Sequence, residues 1–137
     1  MIKAFLRDRG GAAAVEFGLV LPVLAALLIG VFDGGTLLLK YNTMHSAVSS
    51  GAQYVMAGGQ DLTTAQSIAV SAWKTKPSNA QISVAKTCKC GAAAAVCTTI
   101  CPDQSVPQAF VSIAATANVN GAVISQPIAA TETVRVR

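Results

Sequence analysis

Hydrophobic positions divide the chain unevenly. From Phe17 the run Gly18-Leu-Val-Leu-Pro-Val-Leu-Ala-Ala-Leu-Leu-Ile-Gly-Val-Phe32 carries no charge, Asp33 interrupts it, and Gly34-Gly-Thr-Leu-Leu-Leu39 resumes it. A helix over Phe17–Leu39 would extend about 35 Å at about 1.5 Å per residue, enough to cross a hydrocarbon layer of about 30 Å. Past Lys40, residues Tyr41, Met44, Val48, Ala52 and Val55 recur at three- and four-residue steps, the period of a helix with one buried face. Gly58-Gly59 supplies a stop. The pattern predicts one helix from about Ala12 to Ala57, about 70 Å long.

The remaining residues change period. Thr63-x-x-Gln66 reads as a capping box, and Ala65, Ile68, Ala69, Ala72 and Trp73 mark one face of a second helix that ends before Pro77, with Trp73 as its core anchor. Ile82 and Val84 then alternate with Gln81 and Ser83, and Phe110–Ala117 is rich in strand formers and small residues. Near the end Ile128, Ala130, Val134 and Val136 share one face and Thr131, Thr133, Arg135 and Arg137 the other, with Glu132 breaking the apolar side of an edge strand. Asn118-Val-Asn120-Gly121 is the expected turn between the last two strands. The fold class is therefore α+β: a long N-terminal transmembrane and stem helix, a second short helix, and a small antiparallel sheet with a cysteine-containing loop. The expected division is a basic leader over residues 1–11, a transmembrane and stem helix over 12–59, and an exported domain over 60–137.

Composition supports a membrane protein, because 53% of residues are hydrophobic and only 12% charged, against about 25% charged in soluble domains. The net charge of +4 is dispersed among Lys3, Arg7 and Arg9, then Lys74 to Lys89, then Arg135 and Arg137. With 5% aromatic residues, that scatter lacks the basic, aromatic-lined element a nucleic-acid site requires. The N-terminal cations, with only Lys40 near the far end of the span, favour a cytoplasmic N-terminus and an exported remainder. A cleaved secretory signal is disfavoured: Ile29-Gly-Val-Phe-Asp-Gly-Gly35 offers no A-x-A-like site, and Ala12-Ala-Ala14 precedes the apolar run.

Two acids lie in or beside the span. Glu16 stands just inside it, where a carboxylate costs a few kcal/mol near the centre and less at the margin. It either reaches back to the headgroups or meets a partner charge. Asp33 lies about 24 Å past Phe17 and is expected at the outer interface, solvated among headgroups or touching another subunit. Pro22 and Gly30 are compatible with a tolerated kink and close helix packing, and Pro22 also with partial unwinding on extraction from the membrane. His45, the only histidine, is expected on the helix surface.

Gly11-Ala-Ala-Ala-Val-Glu16-Phe17, continuing into Gly18-Leu-Val-Leu-Pro-Val-Leu24, resembles the start of TadE-like and TadG-like pilus-assembly proteins, which are similar to type IV pilins of the Flp/Tad class. The resemblance runs from Arg9 to about Gly59 and is only architectural beyond. It implies a cut after Gly11 by a membrane-embedded aspartic prepilin peptidase, making Ala12 the first mature residue and Glu16 the fifth. The doubled glycine departs slightly from the usual pattern, and some relatives stay uncut. A freed α-amino group near pKa 8 could then pair with Glu16 of a neighbouring subunit, because a paired charge in hydrocarbon costs far less than a lone one.

All four cysteines, Cys88, Cys90, Cys97 and Cys101, are expected in one loop between strands. An even count in a small exported domain favours two disulfides, with connectivity open and Cys88–Cys90 the least comfortable pairing. A single zinc ion is the rival, although C-x-C and C-x₃-C are not its usual spacings, and the absence of C-x-x-C argues against thiol-redox catalysis.

The expected protein is not an enzyme and carries no cofactor. It is a minor pilin or pseudopilin in the bacterial inner membrane, whose partners are other pilin subunits through the N-terminal helix, the prepilin peptidase and membrane lipid. The alternatives are an uncleaved bitopic protein whose outer domain binds a surface or partner, and an exported metal or thiol enzyme.

Overall fold

The computed structural model describes residues 10–136, so the leader cations Lys3, Arg7 and Arg9, and Arg137 of the last strand, lie outside the described residues. Helix α1 (Gly10–Met56) continues through Pro22 without interruption. It ends where predicted. Gly58 adopts φ +95°, a left-handed conformation that glycine enters without penalty. Its N–H donates to Val55 O at 3.1 Å while that of Gly59 donates to Tyr54 O at 3.0 Å, the paired bonds of a Schellman termination.

Helix α2 (Leu62–Ala72) starts differently from the expectation. Its cap is Asp61 rather than Thr63. The Asp61 carboxylate accepts from Thr63 N at 3.0 Å, Thr63 Oγ1 at 2.9 Å and Thr64 Oγ1 at 2.6 Å, so one side chain satisfies an orphan backbone donor and two hydroxyls together. Gln66, cast as the reciprocal partner of a capping box, instead donates its side-chain amide to Ile82 O on the sheet at 2.7 Å. Ala65, Ala69 and Trp73 are buried as expected, whereas Ala72 is exposed.

Four antiparallel strands follow: β1 (Gln81–Cys90), β2 (Ala93–Ala95), β3 (Gln108–Asn120) and β4 (Ser125–Val136), ordered β2-β1-β3-β4 across the sheet. In the β1–β3–β4 register Val84, Ile113 and Glu132 align, as do Ile82, Ala115 and Ala130. Period-two alternation places Val111, Ile113, Ala115, Ala117 and Val119 of β3 on the face covered by the helices. That face packs against Met44, Ala47, Val48, Ala52 and Val55 of α1 and Ala65, Ala69 and Trp73 of α2. Tyr41 lies off this stripe and is exposed.

Three expectations about the strands change. Strand β4 is an edge as predicted, but β1 reaches through Cys88 and Cys90, which are strand rather than loop residues. Lys86 sits at an inward position of β1, opposite Val111, and masks the alternation. The turn between the last strands is also displaced: Val119 is buried on β3, the pairing ends at Asn120↔Ser125, and residues 121–124 make the tip. Strand β2, three alanines of low strand propensity, had no sequence signal.

Candidate functional site

The geometry singles out α1, which has two environments. From Val15 to Phe32 every large aliphatic or aromatic side chain is exposed, and the helix is long and apolar enough to cross a membrane. Ala14–Phe32 measures about 28 Å at helical rise, close to a hydrocarbon thickness of about 30 Å. Glu16 is exposed near the start of this stretch, and Gly11, also exposed, has open space around its α-carbon. Ala12 lies within α1. The helix thus presents Glu16 on an unpacked apolar rod five residues beyond Gly11.

The second environment begins at Asp33, the site residue that sequence reasoning assigned wrongly. It is 3% exposed, and neither solvates among headgroups nor awaits another subunit. Its carboxylate accepts from the backbone N–H groups of Ala122 at 2.8 Å, Val123 at 2.8 Å and Ile124 at 3.3 Å. Three converging donors form a nest for one acid, and they offset what an unpaired buried carboxylate would cost. Gly121 belongs to the same device, since a Cβ there would stand 2.9 Å from the Asp33 carboxyl atoms. The separation of about ninety residues hid this bond; the one sequence cue was Asn-Gly followed by an apolar tip.

At the opposite end of the sheet the cysteines pair as Cys88–Cys97 and Cys90–Cys101, with Cα separations of 5.1 and 5.6 Å. Both disulfides tie the end of β1 to the loop after β2. All four sulfurs are thereby paired. The bridges also account for β2: together with Gly91 at φ +62° they fold three alanines back along β1. In the same loop Asp103 accepts from Ser105 Oγ at 2.7 Å and Ser105 N at 3.2 Å, and these bonds lower its pKa. Val96, Ile100 and Val106 are exposed there. A groove of about 510 Å³ opens nearby, between the end of α1 at Val55–Gly59 and Lys86, Val111 and Arg135 of the sheet.

His45 is exposed on α1 beside Tyr41, their rings 6.4 Å apart, as a surface residue would be. Glu132, the acid on the apolar face of β4, is half-buried, and its Oε2 has no hydrogen-bond partner among the described residues.

No curated protein and no solved structure matches the chain. A family model does, over the bare helix and most of its packed continuation, including Gly11, Glu16 and Asp33: residues 11–53 match the family described as TadE-like protein.

Proposed function

We propose that the chain is a membrane-anchored minor pilin or pseudopilin that contributes to assembly of a Flp/Tad-type pilus. The observation that carries this reading is the form of α1: an unpacked apolar rod over Ala14–Phe32 that continues without a break into the core helix of a folded domain. A soluble protein gains nothing from such a rod, whereas a subunit held in a bilayer and then packed among other rods uses it twice. The match to TadE-like proteins covers this same segment and supports a role in Tad pilus assembly.

In this reading the N-terminus is cytoplasmic, the sheet and its disulfides lie outside the inner membrane, and processing after Gly11 leaves Ala12 at the start. The new α-amino group is a cation in apolar surroundings, and Glu16 of the adjoining subunit is its counter-charge, so their pairing sets the stacking register. The mature N-terminus, read by mass spectrometry of the membrane-extracted chain, tests processing; Met1 as the sole terminus in assembled fibres contradicts it. Glu16→Ala tests register. Membrane insertion should survive while incorporation into filaments falls at least several-fold, and unchanged incorporation removes the pairing.

A second reading has one observation in its favour. The exposed Val96, Ile100 and Val106 stand on a doubly cross-linked loop at the end of the domain farthest from the rod, a layout suited to an uncleaved bitopic protein that binds a surface or partner. An N-terminus at Met1 together with loss of adhesion on substituting these three residues by Ser would favour it.

A further inference from the structure

The tip of the β3–β4 hairpin is not composed like a turn that faces water. Such turns favour Gly, Asn, Asp, Ser and Pro, but Gly121 is followed here by Ala122, Val123 and Ile124, with Val123 75% and Ile124 48% exposed. No charged residue occurs between Asp103 and Glu132, so both arms of the hairpin are neutral near its tip.

The depth of the tip is set by hydrogen bonds. Three of its backbone N–H groups lie within 3.3 Å of the Asp33 carboxylate, and Asp33 directly follows the bare part of α1, where Val31 and Phe32 are 74% and 68% exposed. Since Ala14–Phe32 is slightly shorter than an average hydrocarbon layer, a bilayer that covers this stretch reaches the helical turn of Asp33, and with it the hairpin tip. Val123 and Ile124 therefore continue the apolar surface of the rod sideways. Asn79 bonds both backbone groups of Asn118, about 10 Å from the tip along β3, and the segment that leads into it from α2 carries the exposed Lys74 and Lys76.

Resting on the reading that α1 spans a membrane, we propose that Gly121–Ile124 is a second membrane contact, its Val123 and Ile124 side chains entering the boundary between headgroups and acyl chains of a phospholipid bilayer beside the helix. Asp33 is the latch that holds the tip at that depth. A single helix leaves a domain free to tilt and rotate; a second contact point, offset from the helix axis, fixes both. The sheet would then stand at a defined angle to the membrane, and a subunit leaving the bilayer would withdraw two apolar elements rather than one.

The test is a depth measurement on the purified full chain in vesicles of phosphatidylcholine and phosphatidylglycerol. A nitroxide is attached at Val123→Cys, Ile124→Cys, Leu24→Cys or Thr131→Cys, each variant being kept only if mass analysis shows both native disulfides. The expected result is an oxygen-to-nickel-chelate accessibility ratio at 123 and 124 several-fold above that at Thr131 and approaching that at Leu24. Ratios at 123 and 124 equal to that at Thr131, with Leu24 still in lipid, overturn the second contact and leave the span standing. Protection of 123 from both reagents signals a protein contact and likewise overturns it. A water-accessible Leu24 overturns the spanning reading and the proposal together.

Discussion

The two halves of α1 differ in how much apolar surface they carry and in what covers it. Between Ala14 and Phe32 the large side chains Leu, Val, Ile and Phe point in every direction and all are exposed. Between Asp33 and Met56 a single stripe of Met44, Ala47, Val48, Gly51, Ala52 and Val55 is buried against α2 and the sheet, and half of it is Ala or Gly. The first half has no helical period, the pattern that suits a helix which lipid would surround on all sides. The second has one, with small residues, because other protein must approach closely. The boundary is a single residue, Asp33, whose carboxylate would be costly in lipid and is instead paired with a turn of the folded domain.

Two side chains of similar size, one from each half, give the largest contrast. Met44 is fully buried whereas Leu24 is exposed. Met44→Ala should destabilise the domain by about 2–5 kcal/mol through lost burial and a residual cavity. Leu24→Ala should leave the domain within about 0.5 kcal/mol of the parent. Denaturant unfolding of the detergent-solubilised chain, followed by Trp73 fluorescence, measures both. Equal losses would mean that the bare half also packs on the domain.

The disulfides sharpen the same comparison from the far end of the sheet. Replacing Cys90 and Cys101 together by Ser should cost about 2–4 kcal/mol, and the loss should appear in the domain alone, with membrane retention unchanged. Since β2 is held by these bridges rather than by propensity, slowed amide exchange at Ala93–Ala95 should disappear in the variant. Persistence of that protection would show that β2 does not depend on the Cys90–Cys101 bridge.

Glycines separate the halves a third way. A Cβ on Gly51 would meet Ala65 O at 3.0 Å and Ile113 Cδ1 at 3.1 Å, whereas Gly30 has open space. Gly51→Val should therefore cost about 1–3 kcal/mol by forcing α1 away from α2 and β3, and Gly30→Val should leave the domain's unfolding midpoint unchanged.

These contrasts also explain what could be read from the amino-acid order. Periodicity reported α1, its Gly58-Gly59 stop, α2 and the alternation of β4 because each is a local pattern. The same local reasoning read Thr63 as the cap, because Thr63-x-x-Gln66 fits the capping-box rule and only the structure shows Asp61 capping and Gln66 reaching Ile82 instead. It ended β1 early because Lys86 occupies an inward position opposite Val111, and it could not see β2, whose order comes from cross-links. Asp33 failed most completely: its partners lie about ninety residues away and are backbone groups, which carry no residue signature. For the proposed assembly site the sequence remains the richer source, since Gly11 and Glu16 are marked by the resemblance to TadE-like proteins and their proposed partners are other chains.

The smallest effect concerns Asp61, outside both halves but joining them to α2. Its pKa lies below the usual 3.8, held down first by the Thr64 hydroxyl and then by the Thr63 hydroxyl and backbone N–H. The folded chain therefore binds this proton less readily than the unfolded one, and the stabilisation is complete above the unfolded pKa and lost as pH falls through the folded value. Asp61→Asn keeps a capping oxygen but removes the titration. The variant's thermal midpoint should fall short of the parent's by no more than a few degrees at neutral pH, and the difference should shrink toward about pH 3 as the parent loses its charge. A difference that stays constant with pH would show that the hydroxyl bonds to Asp61 do not favour its ionised form, and that the capping geometry alone supports the start of α2.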